Sequence, residues 1–170
     1  MEAEGFPPIA EPGAKVLILG TLPGGISLEK REYYAQPRNR FWQLMADLFG
    51  VAADLPYAIR TQRLTARGIA VWDVCKTAYR PGSLDASIRA GSEVPNEFAG
   101  FYRDHPLIRL ICFNGQKAAA MYEKKVSRTL PGKFSNIKSA VLPSTSAAHA
   151  SVPYREKLRL WSIVKDECET

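Results

Sequence analysis

Lys15-Val-Leu-Ile-Leu-Gly20, followed at once by Thr21-Leu-Pro-Gly-Gly25, decides how this chain of 170 residues folds. A continuous apolar run that ends in glycine does not alternate between a wet and a dry face. It predicts a strand buried on both faces, as in a parallel sheet covered by helices. Three more stretches read as strands: Ile69-Ala-Val-Trp-Asp-Val-Cys75, Leu107-Ile-Arg-Leu-Ile-Cys-Phe113 and Ile137-Lys-Ser-Ala-Val-Leu142. Between them lie helical patterns over residues 39–49 (Phe41, Leu44, Met45 and Leu48 on one face), 56–67, 95–104, 116–126 and 153–167, with a helical turn over 85–89. Prolines near the starts and Gly68 after the second pattern punctuate them. Alternating strands and helices predict an α/β fold, a three-layer α/β/α sandwich around a central four-stranded parallel sheet. Residues 1–14 hold three prolines, two glycines and three glutamates. They predict an arm outside any element, leaving 15–170 as one domain.

Ligands in such folds sit beyond the carboxyl ends of the strands. That rule gathers residues 21–25, 73–77, 114–115 and 143–149 around one cleft. The bulk properties narrow what the cleft takes. With 46% hydrophobic residues the chain supports one core. Mean hydropathy is −0.18, and no apolar run approaches the ~20 residues of a membrane span. The acidic opening lacks a basic and then hydrophobic leader, so a cytoplasmic protein is expected. Three scattered cysteines and two histidines offer no zinc or CxxC spacing and too few ligands for an iron–sulfur cluster. No metal or cofactor is expected, and a monomer is the simplest state. A net charge of +6 and a pI near 9.3 favour a polyanionic partner.

Three segments have both a chemical and a plain reading. Gly20–Gly25 brings backbone N–H groups close to a ligand, or is a tight turn; it lacks the Gly-Lys-Ser/Thr ending of a P-loop. Tyr33-Tyr-Ala-Gln-Pro-Arg-Asn-Arg-Phe-Trp42 interleaves aromatics with Arg31, Arg38 and Arg40, which suits base stacking beside a phosphate. It equally suits a helix start with Asn39 as N-cap and Phe41 and Trp42 as core. Leu142-Pro-Ser-Thr-Ser-Ala-Ala-His149 offers hydroxyls and amides for a phosphate, or is a loop leading into a capped helix. His149 alone reads equally as a surface histidine.

Taken in order, GTLPGG, YYAQPRNRFW, FNG at 113–115 and LPSTSAAHA resemble the uracil-DNA glycosylase superfamily, nearest its hypoxanthine-DNA glycosylases and its thymine/uracil mismatch branch. The likeness runs from about Val16 to Trp161. It implies a monofunctional enzyme that hydrolyses the N-glycosidic bond of a deaminated base, hypoxanthine before others, in double-stranded, damaged or mismatched DNA. The mismatch branch carries an asparagine in its first motif where this chain has Leu22, which can neither orient nor activate water. The hypoxanthine branch lacks it too, and its important asparagine matches Asn39. By the same resemblance Tyr34 stacks on the flipped base, Asn114 reads its edge, and Asp73 falls in the base pocket, as a reader or a water activator. The plain reading of Asp73 is a strand-end cap or ion pair. Thr21 and Leu22 are expected against the base. Gly24, Arg38, Ser144, Thr145, Ser146 and His149 are expected against the DNA, with the wedge residue near Ala148 or His149. No lysine matches a Schiff-base nucleophile. Three rivals remain: uracil or mismatch-thymine excision, an inactive DNA-binding module, and an enzyme of free nucleosides, which the basic surface disfavours.

Overall fold

A computed structural model describes all 170 residues. In chain order the elements are β1 (Glu2–Glu4), β2 (Val16–Gly20), α1 (Gly25–Lys30), α2 (Phe41–Phe49), α3 (Tyr57–Ala66), β3 (Ile69–Asp73), β4 (Cys75–Tyr79), β5 (Val94–Pro95), α4 (Phe98–Asp104), β6 (Leu110–Asn114), α5 (Gln116–Lys125), β7 (Lys138–Leu142) and α6 (Tyr154–Glu169). The four apolar runs form the expected sheet, in the order β3-β2-β6-β7, with every pair parallel. Every residue of β2 and β3 is buried, as a continuous apolar run requires when helices cover both faces.

The two faces are packed by different helices. Phe113 on β6 meets Tyr122 of α5, which meets Phe98 of α4. Cys112 points the other way, toward Cys168 and Glu167 of α6. On that second face Phe41 of α2 packs edge-on against Trp161 of α6, and both rings are fully buried. Truncating a ring such as Phe41 to alanine costs about 3–5 kcal/mol.

Three features differ from the sequence expectation. Residues 1–14 do not hang free. Glu2–Glu4 pairs antiparallel with β4, and Ile9 exchanges both backbone hydrogen bonds with Val71 at 2.8 Å. The arm thereby covers the open edge of β3, which would otherwise present unpaired N–H and C=O groups. The run expected as one strand over 69–75 breaks after Asp73. Val74 N–H turns to Gly20 O at 2.8 Å and Cys75 N–H to Thr21 O at 3.1 Å. The chain then continues as β4, in a second small sheet of order β1-β4-β5. A six-residue helix, α1, follows Gly24 without a side-chain cap.

Candidate active site

The parallel sheet ends with Gly20 and Asp73 in register on neighbouring strands. A Cβ on Gly20 would lie 2.6 Å from Asp73 Oδ1 and 3.1 Å from the Tyr34 hydroxyl. Glycine is needed there for space, because two polar side chains converge on its Cα. Asp73 is 4% exposed, and its Oδ2 has no hydrogen-bond partner. Burial, and next the charge of Asp85, push its carboxyl up to about 8, against a smaller opposing pull from Arg80. At neutral pH Asp73 is therefore mostly a neutral acid, able both to donate and to accept.

Tyr34 adopts a left-handed backbone, φ +56°, which costs a non-glycine residue roughly 1–2 kcal/mol. That turn lays its ring on Phe41, with centroids 4.1 Å apart and planes at 22°. One face of Tyr34 is thus already stacked, and only the other is left for a base. Its buried hydroxyl has no hydrogen-bond partner. Burial and then the Asp73 charge raise its pKa, while the nearby Asn114 amide favours ionisation.

Asn114, at the end of β6, is engaged more fully than expected. Its Nδ2 donates to Thr145 Oγ1 and its Oδ1 accepts from Thr145 N–H, both at 2.9 Å. Thr145 O accepts from Arg40 N–H at 2.9 Å. Thr145, expected against DNA, is instead 0% exposed and ties three segments of the site together. Gly115, at φ +97°, lets the loop approach: a Cβ there would sit 3.2 Å from that of Ser144. Asn39 is half-buried; the N-cap of α2 is Arg40, not Asn39 as expected, but Asn39 Oδ1 accepts from Phe41 N–H at 2.9 Å, which leaves its Nδ2 available. Asp73, Tyr34, Asn114, Thr145 and the Asn39–Arg40 turn therefore form one contiguous cluster.

The remaining candidates divide by exposure. Ser144 and Ser146 are half-buried, Arg38 and His149 are exposed, and Gly24 is half-buried. Thr21 and Leu22 are buried, with Leu22 Cδ1 near Gly5. Phe41 and Trp42 are core, as expected. A cavity of about 490 Å³, lined by Phe6, Pro7, Leu28, Arg31, Tyr33 and Tyr57 among others, includes Arg31 and Tyr33 of the aromatic–arginine segment but none of the catalytic, base-binding or DNA-binding candidates.

Two buried cations escaped the sequence reading. Arg80, 2% exposed, donates through Nη2 to Pro23 O and through Nε to Gly82 O at 3.0 Å, and lies 3.8 Å from Asp85. It anchors the Thr21–Gly25 loop from behind. Lys157, 4% exposed, donates to Ser144 O at 2.8 Å and His149 O at 2.7 Å. An arginine among turn formers and a lysine in an amphipathic helix both read as solvated, and no local signal marks either as buried.

Residues 7–165 match the family model described as the uracil DNA glycosylase superfamily. The chain is 37% identical over 150 residues to a hypoxanthine DNA glycosylase of Methanosarcina acetivorans, covering 88% of this chain and 89% of that protein. It is 28% identical to a G/U mismatch-specific uracil DNA glycosylase of Schizosaccharomyces pombe, of which it spans 50%. The solution NMR structure of a Methanosarcina acetivorans protein, provisionally described as a uracil DNA glycosylase, superposes with a TM-score of 0.83 at 34% identity over 100% of both chains.

Proposed function

From its membership of the uracil DNA glycosylase superfamily, we propose that this DNA glycosylase excises hypoxanthine from DNA through the cluster around Asp73. The observation that carries the reading is Asp73 itself: buried at a strand end, with one carboxyl oxygen unpartnered. Hypoxanthine presents N1–H beside O6, a donor next to an acceptor. A neutral carboxylic acid offers the complementary pair. The 37% identity to a protein named hypoxanthine DNA glycosylase supports the same choice.

The base is extruded from the duplex at a cost of a few kcal/mol, least at a mismatch. Tyr34 supports it on the ring face that Phe41 leaves free. Asn39 Nδ2 orients the attacking water. The C1′–N9 bond breaks with oxocarbenium character, water oxygen bonds to C1′, one water proton goes to the departing base, and an abasic site remains. The half-buried hydroxyls of Ser144 and Ser146, with Arg38 and His149, hold the DNA backbone.

The test is base release from labelled duplexes that carry one hypoxanthine, uracil, xanthine or mismatched thymine, with alkali cleavage after incubation. Release of hypoxanthine ahead of the others is the expected result. Uracil presents a like donor–acceptor pair at N3–H and O4, so faster release of uracil would overturn the substrate assignment. No release from any duplex would leave a DNA-binding module.

A further inference from the structure

We propose that Lys157 is a positioning residue for the DNA-backbone contact, its buried ammonium closing the 144–149 loop so that the loop's donors face a phosphate. This rests on the reading of that loop as the phosphate grip. The two carbonyls that Lys157 Nζ binds, Ser144 O at 2.8 Å and His149 O at 2.7 Å, are the first and last of the loop. One cation therefore fixes the span between the loop's ends.

It also fixes which way the peptides point. In a trans peptide the N–H lies opposite the C=O. With His149 O turned inward to the ammonium, the Ala150 N–H is turned away from it. Within the loop, Ser146 N–H is bound by Ser144 Oγ and Ala148 N–H by Ser146 Oγ, each at 3.2 Å, while His149 N–H returns to Ser146 O at 3.0 Å. These bonds use both serine oxygens as acceptors and leave their O–H protons for an anion.

The placement of Lys157 is otherwise unfavourable. It lies in the N-terminal part of α6, where the helix dipole disfavours a cation, and burial and then Arg40 lower its pKa. The negative charge of an incoming phosphate offsets the dipole and the Arg40 charge. A residue needed only to fill this space would be better apolar.

The experiment compares wild type with Lys157→Met, which keeps an unbranched side chain one atom shorter and removes the charge and donors. Affinity for an undamaged duplex is measured across a salt series, with the single-turnover excision rate at saturating enzyme. The expected result for Lys157→Met is affinity weaker by at least about tenfold, a slope of log affinity against log salt shallower by about one phosphate contact, and a saturating rate within about twofold of wild type. Lys157→Arg, which restores charge and donors, is expected to recover the slope. Unchanged affinity and slope, or loss confined to the saturating rate, would overturn the proposal. If Lys157→Met does not fold, Lys157→Gln, which retains one donor, carries the comparison. Failure of both to fold would assign Lys157 to the whole fold and overturn its local role. If wild type itself binds duplex without salt dependence, it is the phosphate reading of the loop that fails.

Discussion

Asp73→Asn separates the roles of this carboxyl, because asparagine keeps its shape and cannot ionise. Burial raises the Asp73 carboxyl from its ordinary 3.8 to about 8, in a side chain 4% exposed. Between those two pH values the folded protein holds a proton that the unfolded chain has released. Stability from this group is therefore present in full below the unfolded value and declines as pH rises toward 8, by about 1.4 kcal/mol per pH unit. From pH 5 to pH 7 the wild type should lose about 3 kcal/mol relative to Asp73→Asn. The buried amide adds an offset, but one independent of pH. Urea denaturation of both proteins at pH 5, 6 and 7 measures the difference, in which titrating groups not coupled to Asp73 cancel. A constant difference across that range would refute the buried, neutral carboxyl. Activity divides in the same way. An amide also offers an acceptor beside a donor, so Asp73→Asn should excise hypoxanthine within about tenfold of wild type, without the decline expected of wild type as pH rises through 8. If Asp73 instead activated water, the variant would lose about 10²–10⁴-fold, and wild-type rates would rise with pH.

Two further substitutions probe the cluster. Gly20→Ala forces a methyl to within 2.6 Å of Asp73 Oδ1; it should cost about 1–3 kcal/mol of stability and slow excision about 100-fold by displacing Asp73 or Tyr34. A folded Gly20→Ala with wild-type single-turnover rates would remove both side chains from the site. Thr145→Val leaves Asn114 Nδ2 without its acceptor and should destabilise by about 1–3 kcal/mol in urea, with weaker duplex binding as the loop detaches from β6. Loss of only a few tenths of a kcal/mol would mean that Thr145 does not join the segments.

The central sheet was legible because Val16-Leu-Ile-Leu19 has no polar residue to place on a wet face, and in its neighbours β3 and β6 the polar residue falls only at the strand end, as Asp73 and Asn114. The second small sheet was not legible. Val74 and Cys75 carry no glycine or proline to mark the point where the chain leaves β3, and the departure is set by Gly20 O and Thr21 O across the sheet. Strand β1 was hidden for a related reason: Glu2–Glu4 gains its conformation only from β4. Within the site, the strand-end rule placed Asp73 and Asn114 from pattern alone, whereas the weight on Asn39 and Tyr34 came from resemblance. What neither source supplied was connectivity. Asn114 is spent largely on Thr145, Tyr34 on Phe41, and two cations that read as surface are buried behind the loops they brace. Such pairings depend on contacts distant in sequence, which composition and periodicity do not encode.

The account is tested most directly by hypoxanthine release under single turnover, in wild type and Asn39→Ala side by side, with duplex affinity measured on the same samples. Loss of the Asn39 Oδ1 bond to Phe41 N–H costs about 1 kcal/mol, so the variant should remain folded. The account predicts that wild type releases hypoxanthine and leaves an alkali-labile site, and that Asn39→Ala binds the duplex equally well but reacts at least about 100-fold more slowly. Release by Asn39→Ala at the wild-type rate would contradict it.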